Sequence, residues 1–141
     1  MLKKANIKIE STIDNLDSCG LPDGDSEKSV TEAEGSYRFS MDEAVITYKE
    51  IIEGTEISSR IAFIGNTVSV KRSGGIESHL FFREGETTTS LYSIPPYQFD
   101  AEVSAKRVRV NLTESGGTID LIYNMKIGGA EKATRMKIWI S

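Results

Sequence analysis

The sequence contains few cysteine, histidine and proline residues, and this scarcity excludes several classes of protein. Its 141 residues include one Cys, one His and three Pro. A single Cys cannot form an intramolecular disulfide, and one Cys with one His supplies too few ligands for a structural zinc site. No apolar run approaches the roughly 18 residues of a membrane-spanning helix. The sequence therefore predicts neither a disulfide-rich domain nor a helical membrane protein.

The charge is mildly acidic and unevenly distributed. Seventeen Lys and Arg against 21 Asp and Glu give a net charge of −4, which argues against broad nucleic-acid binding. Residues 14–28 combine acids with glycine and proline, and we predict that they form a mobile surface loop. Its acids are Asp14, Asp17, Asp23, Asp25 and Glu27. They lack the spacing of a calcium-binding EF-hand loop, so a solvated loop is expected rather than a metal site.

The N-terminus does not have the pattern of a secretory signal. Lys3 and Lys4 are followed by alternating rather than continuous apolar residues, whereas a signal needs about 7–15 apolar residues in a row. We therefore expect the chain to be mature from Met1 and cytoplasmic. The unpaired Cys19 is consistent with a reducing compartment.

Apolar and polar residues alternate along most of the chain, the pattern of β-strands. Glycine and proline interrupt this alternation every 9–12 residues, apart from one interval of 21 residues between Pro95 and Gly116. The positions are Gly54, Gly65, Gly74-Gly75, Gly85, Pro95-Pro96, Gly116-Gly117 and Gly128-Gly129. Short turns at this spacing are typical of an antiparallel barrel or sandwich. We favour a barrel, because closure leaves no exposed strand edges. The prediction is one all-β domain over residues 1–141, an antiparallel up-and-down barrel of about 8–10 strands with little or no helix.

Three local features of this prediction can be checked directly. Residues 104–106 are expected to form a turn, because the segment from Pro95 to Gly116 has room for two strands. Residues 41–43 are expected to form at most one short helical turn. Gly116-Gly117 is expected to form the turn between the two strongest alternating segments, with positive φ in at least one glycine.

Five segments resemble those of a known family and occur in the same order. They are IKIEST at residues 7–12, VSVKRSGG at 68–75, TSLYSIPPY at 89–97, VRVNL at 108–112 and ESGGTI at 114–119. The sequence is similar to the YwiB-like family of small bacterial proteins, a domain of unknown function. The resemblance implies a calycin-like barrel, related to those of lipocalins and fatty-acid-binding proteins, with an interior site. It implies no reaction, and Pro95-Pro96 departs from the single proline that the family often has there.

Arg72 and Glu50 are the charged residues that the alternation directs toward the interior. Arg72 continues the face of Val68 and Val70, and Glu50 continues the face of Ile46 and Tyr48. Our hypothesis is that they form a polar site for an anionic ligand head group, with apolar contacts from aromatic residues. The predicted ligand-binding residues are Arg72, Glu50, Tyr48, Phe63, Phe82, Tyr92 and Tyr123. The alternative is that Arg72 and Glu50 lie at strand ends near the rim and are solvated.

No residue set indicates catalysis. His79 is expected on the outer face of its strand, and Cys19 lies among acids, which disfavour a thiolate nucleophile. We therefore expect no enzyme activity, no cofactor, no metal site, and neither nucleic acid nor membrane as a partner.

Two functional hypotheses remain open. One is a barrel that binds a small, partly apolar anionic ligand inside. The other is a ligand-free barrel, a monomer or homodimer, whose outer surface serves a protein partner or homo-oligomerisation. Interior volume distinguishes them, because a barrel can be filled by its own side chains or leave room for one small ligand.

Overall fold

Ten antiparallel strands form the fold in a computed structural model, which describes residues 2–24 and 26–141. The strands are β1 (Lys3–Leu16), β2 (Glu27–Ser40), β3 (Glu43–Ile52), β4 (Thr55–Ile64), β5 (Thr67–Ser73), β6 (Glu77–Phe82), β7 (Thr87–Ile94), β8 (Tyr97–Thr113), β9 (Gly116–Ile127) and β10 (Ala130–Ile140). Each strand pairs with the next along the chain, and β1 pairs with β10, which closes the barrel. The predicted all-β, up-and-down barrel is confirmed. The described residues include no helix that could cross a membrane.

The period-two pattern explains why these residues form a barrel. Along β6, exposed and buried residues alternate strictly, with Ser78, Leu80 and Phe82 directed inward. Ala44, Ile46 and Tyr48 do the same in β3. Because every second side chain of each strand faces the interior, closing the sheet buries one continuous apolar face.

The two ends of the barrel differ. At the closed end the interior is filled with buried apolar side chains, among them Ile7, Val68 and Ile119. Tyr37 on β2 is fully buried there, and its hydroxyl donates a 2.5 Å hydrogen bond to the carbonyl of Thr113 on β8. Since β2 and β8 are not neighbours, this side chain spans the lumen. The open end is formed by the connections 17–26, 53–54, 74–76, 95–96 and 128–129.

The acidic loop is shorter than predicted. β1 continues to Leu16 and β2 begins at Glu27, so the connection comprises residues 17–26 and the predicted bounds of 14–28 were too wide. The Asp17 carboxylate accepts hydrogen bonds from the backbone N–H groups of Cys19 and Leu21, at 2.8 and 3.0 Å. Asp25 lies outside the described residues. The mobility of this loop stays a prediction.

Three local expectations were wrong or need correction. No turn interrupts residues 104–106, because β8 is continuous and has a β-bulge between Ala105 and Arg107. No helical turn forms near residue 41: Met41 and Asp42 have φ of 52° and 64° and make a two-residue hairpin turn. Residues 114–115 connect β8 to β9, and Gly116 and Gly117 are the first residues of β9. Both glycines have positive φ, as predicted.

The pairing is weakest between β6 and β7. These strands are paired at only two positions, Glu77 with Ser93 and Ser78 with Tyr92. Toward the closed end, the Thr88 hydroxyl donates to the carbonyl of Phe81 at 2.9 Å. A side chain therefore joins the two strands where the backbone ladder ends.

Candidate functional site

The open half of the barrel contains a cavity of about 760 Å³. Apolar side chains make up most of its wall, including Ile61, Val70, Leu80 and Ile138. The cavity therefore has an apolar floor, above the filled closed end, and an opening among the five connections of the open end.

Arg72 and Glu50 meet inside this cavity. Arg72 reaches the interior because it shares strand parity with Val68 and Val70 on β5, and Glu50 does so with Ile46 on β3. Arg72 Nη2 lies 3.2 Å from Glu50 Oε1, and the two side chains are 26% and 18% exposed. The pair is thus half-buried and lines the cavity, which differs from the fully solvated rim position that was the alternative.

Three tyrosines contribute phenol groups to the same space. Tyr48, Tyr92 and Tyr123 all line the cavity. Burial raises the pKa of Tyr48; Glu50 adds to the rise, whereas Ser59 and Arg72 oppose it. Burial raises the pKa of Tyr123 to about 12, opposed by a hydrogen bond with Thr134. These two phenols therefore keep their protons near neutral pH and can donate hydrogen bonds.

The strand register places these polar groups in one row across five adjacent strands. From β3 to β7, cross-strand neighbours follow the order Tyr48, Ser59, Arg72, Ser78 and Tyr92. The two serines are only 3% and 6% exposed. Within residues 2–24 and 26–141 the Ser78 hydroxyl has no hydrogen-bond partner, whereas the Ser59 hydroxyl lies beside the phenol of Tyr48. An unpaired buried hydroxyl costs about 1–3 kcal/mol.

The sequence profile of a protein family described as a domain of unknown function (DUF1934) matches residues 7–139. The chain belongs to this family. It is 23% identical over 110 residues to the uncharacterized beta-barrel protein YwiB of Bacillus subtilis (strain 168), a match that covers 78% of each chain. A crystal structure of the ywiB protein from Bacillus subtilis is similar with a TM-score of 0.85 and 21% identity, over 99% of this chain and 92% of that one. The YwiB-like resemblance is confirmed, and at this identity the structural match shows the fold alone.

Six of the seven predicted site residues line the cavity of this DUF1934 barrel. Phe63 is the exception: it does not line the cavity, and its part in ligand binding stays a prediction. It pairs with Ala44 and Val68, one step nearer the closed end than the cavity floor. Phe82 does line the cavity, where its ring lies 4.7 Å from that of Tyr123.

Ser78 and Lys132 are among the cavity residues that sequence reasoning did not assign to the site. Both share strand parity with residues that were recognised as inward, Leu80 for Ser78 and Met136 for Lys132. The signal was therefore present in the alternation, but a serine or lysine in an apolar series is usually read as an exposed position. Lys132 brings a second cation to the DUF1934 cavity, on the wall opposite Arg72.

The remaining chemically active residues lie outside the cavity. His79 is on the outer face of β6, with its ring 4.3 Å from that of Phe81. Cys19 is exposed in the acidic connection. The described residues of the DUF1934 barrel contain no group of three or more His, Cys, Asp or Glu placed to hold a metal ion.

Proposed function

We propose that the barrel binds one small, partly apolar anionic ligand in its interior, and that Arg72 holds the charged group. The observation that carries this proposal is the half-buried Arg72–Glu50 pair in a cavity of about 760 Å³. This volume lies within the range of about 300–1,000 Å³ that is usual for small-molecule sites. A guanidinium recognises a carboxylate or phosphate with two parallel hydrogen bonds.

Glu50 serves as the counter-charge of Arg72 when no ligand is bound. Removing two charges from water is costly, and an ion pair in a barrel lumen is rarely worth more than apolar residues of the same volume. The pair at 3.2 Å therefore supports a role beyond stability. The aromatic rings of Phe82 and Tyr123 face the same cavity and supply an apolar surface for the rest of the ligand.

The proposal extends to the class of protein. It is a calycin-like binding protein of the cytoplasm rather than an enzyme, and it needs no cofactor, nucleic acid or membrane. The closed meander of ten strands around an open-ended cavity supports the calycin-like part. The exposed, unpaired Cys19 supports a reducing compartment.

Thermal-shift screening with fatty acids and anionic metabolites tests the proposal. A ligand at about 100 times its dissociation constant should stabilise the fold by roughly 2.7 kcal/mol, a rise of several degrees in Tm. Arg72→Met combined with Glu50→Gln should reduce this rise, and the double change avoids leaving Glu50 unpaired. Native mass spectrometry of protein purified from its own cells should show a bound small molecule. The mass of that molecule should be the same before and after the complex is incubated, because the protein binds it without converting it.

Absence of any stabilising compound, together with a ligand-free native mass spectrum, would contradict ligand binding. The second hypothesis, a protein-interaction or homo-oligomerisation surface, would then be favoured. Exposed apolar side chains near the open end support it: Leu21, Ile51, Leu91, Ile94 and Tyr97. The same mass spectra distinguish a monomer from a homodimer, and Ile51→Ser with Tyr97→Ser should abolish a dimer that uses this surface.

A further inference from the structure

Ser78 has a buried hydroxyl group for which the surrounding described residues provide no hydrogen-bond partner. The side chain is 6% exposed and lines the cavity, and its hydroxyl has no hydrogen-bond partner in the part of the chain that the structure describes. Buried hydroxyls in folded proteins are nearly always paired. Ser78 is also the cross-strand neighbour of Arg72. In this rotamer the hydroxyl oxygen is enclosed by protein atoms, and rotation about the Cα–Cβ bond would turn it toward the cavity, where a polar atom of a ligand would satisfy both residues.

The strand order separates this position from Glu50. Glu50 approaches Arg72 from β3, whereas Ser78 on β6 and Tyr92 on β7 lie on the other side of β5. Arg72 donates to Glu50 through Nη2, and a guanidinium has further N–H groups to donate. A ligand oxygen placed between Arg72, Ser78 and Tyr92 can therefore accept hydrogen bonds from several donors. It would also lie away from the Glu50 carboxylate.

The charge of the lining indicates the charge of the ligand. Two cations, Arg72 and Lys132, and one anion, Glu50, line the cavity, which gives its described lining a net charge of +1. A monoanion neutralises this lining, whereas a phosphate dianion would leave an excess negative charge beside Glu50. Uncompensated charge in a half-buried site is strongly unfavourable.

We infer that Arg72, Ser78 and Tyr92 form a carboxylate-binding subsite, and that the ligand is an amphipathic monocarboxylate. Its apolar part lies on the cavity floor, against Val70, Leu80 and Phe82. Ser78 and Tyr92 are specificity-determining residues, because their hydroxyls select an acceptor on the side of Arg72 away from Glu50. This inference rests on the proposed ligand-binding function.

The test compares three probes of equal chain length: dodecanoate and dodecyl phosphate below their micelle concentrations, and dodecanol below its solubility limit. Isothermal titration calorimetry should show dodecanoate binding roughly tenfold or more tightly than either of the others. Ser78→Ala and, separately, Tyr92→Phe should each weaken dodecanoate roughly tenfold and have little effect on dodecanol.

Ser59→Ala is the matched control. Ser59 is also a buried serine beside Arg72, but it does not line the cavity, and its hydroxyl lies beside the phenol of Tyr48. Its affinity for dodecanoate should stay within about twofold of wild type. Without ligand, Ser78→Ala should not have a lower Tm than wild type, because it removes an unpaired buried hydroxyl.

Each outcome supports or overturns the subsite. If dodecanoate binds but Ser78→Ala and Tyr92→Phe retain full affinity, the subsite is wrong although the proposed function survives. Equal losses in Ser59→Ala and Ser78→Ala would show a structural effect and overturn it. If dodecyl phosphate binds at least as tightly as dodecanoate, the inference that the ligand is a monocarboxylate is wrong. Failure of all three probes overturns the subsite, and a ligand-free native mass spectrum would in addition count against the proposed function.

Discussion

At the scale of single residues, two glycines at the start of β9 have a backbone conformation that other residues rarely adopt. Gly116 and Gly117 have φ of 121° and 144°. A Cβ at Gly117 would collide with the carbonyl oxygen of Asn111 on the neighbouring strand. We predict that Gly117→Val lowers the free energy of unfolding by roughly 1–3 kcal/mol, measured by urea denaturation.

The neighbouring Ser115 supplies the control for this change. It is exposed in the two-residue connection before β9, and its φ is not positive. Ser115→Val should shift the free energy of unfolding by no more than about 0.5 kcal/mol. Equal tolerance of Val at residues 115 and 117 would mean that the register of β8 and β9 differs from that described.

The pKa of His79 depends on the charged groups around its ring, and histidine titrates near neutral pH. Burial against neighbouring groups lowers its pKa below the ordinary 6.5, and Lys71 and Arg60 lower it further. The folded state therefore binds this proton less readily than the unfolded state. Its contribution to stability is complete above about pH 6.5 and declines as the pH falls toward the folded pKa. NMR titration of the His79 ring should give a midpoint below 6.5, and Lys71→Gln should raise it. A midpoint above 6.5 would contradict the contact with Lys71.

Strand parity accounts for how much of the site the sequence predicts. The alternation alone identifies Arg72 and Glu50 as inward-facing, because parity is a local property of a strand. It could not show that Phe63 lies nearer the closed end than the cavity, since depth along the barrel depends on the register between strands that are distant in sequence. The same non-local register places Ser78 beside Arg72, a neighbour relation that no local pattern contains.

At the scale of secondary-structure elements, β6 and β7 form the weakest seam of the barrel. Between their two paired positions and the closed end, residues 80–82 of β6 and 87–90 of β7 form no backbone ladder with each other. Local opening is favoured where backbone hydrogen bonds are few. We predict that the amides of these segments that are not bonded to β5 or β8 exchange with deuterium roughly 100-fold faster than those of β9, which is paired on both sides along its length.

Thr88 provides a direct check of this seam. Its hydroxyl donates to the Phe81 carbonyl across the gap, so Thr88→Val should accelerate exchange in residues 80–82 and leave β9 unaffected. Uniform protection around the barrel would show that the seam is as closed as the other strand pairs.

Element boundaries show where sequence patterns become ambiguous. The segment from Pro95 to Gly116 is long enough for two strands, so a turn was expected at residues 104–106, where the structure has one long strand with a β-bulge between Ala105 and Arg107. The connection at Met41 and Asp42 lacks glycine, although both residues have positive φ. Turn residues other than glycine carry little signal for this conformation, which is why a helical turn was expected there.

At the scale of the whole molecule, the rim of the open end and the cavity inside it carry charges of opposite sign. The cavity lining has two cations and one anion. In contrast, the described residues of the five open-end connections include Asp17, Asp23 and Glu53 and no Lys or Arg. An anionic ligand is therefore repelled on approach and attracted only once it has entered.

This opposition predicts an unusual salt dependence for an anionic ligand. Raising the ionic strength from about 0.01 to 0.15 M shortens the screening length from roughly 30 to 8 Å. Repulsion by the exposed rim is then largely removed, whereas the half-buried Arg72 is screened much less. The association rate of dodecanoate, measured by stopped-flow fluorescence, should therefore rise roughly threefold to tenfold. Dodecanol should show no such change, and neutralising Asp17, Asp23 and Glu53 together as Asn, Asn and Gln should abolish the rise. An association rate that falls with salt would instead indicate attraction at the entrance, and would exclude this acidic rim as the route by which the ligand enters.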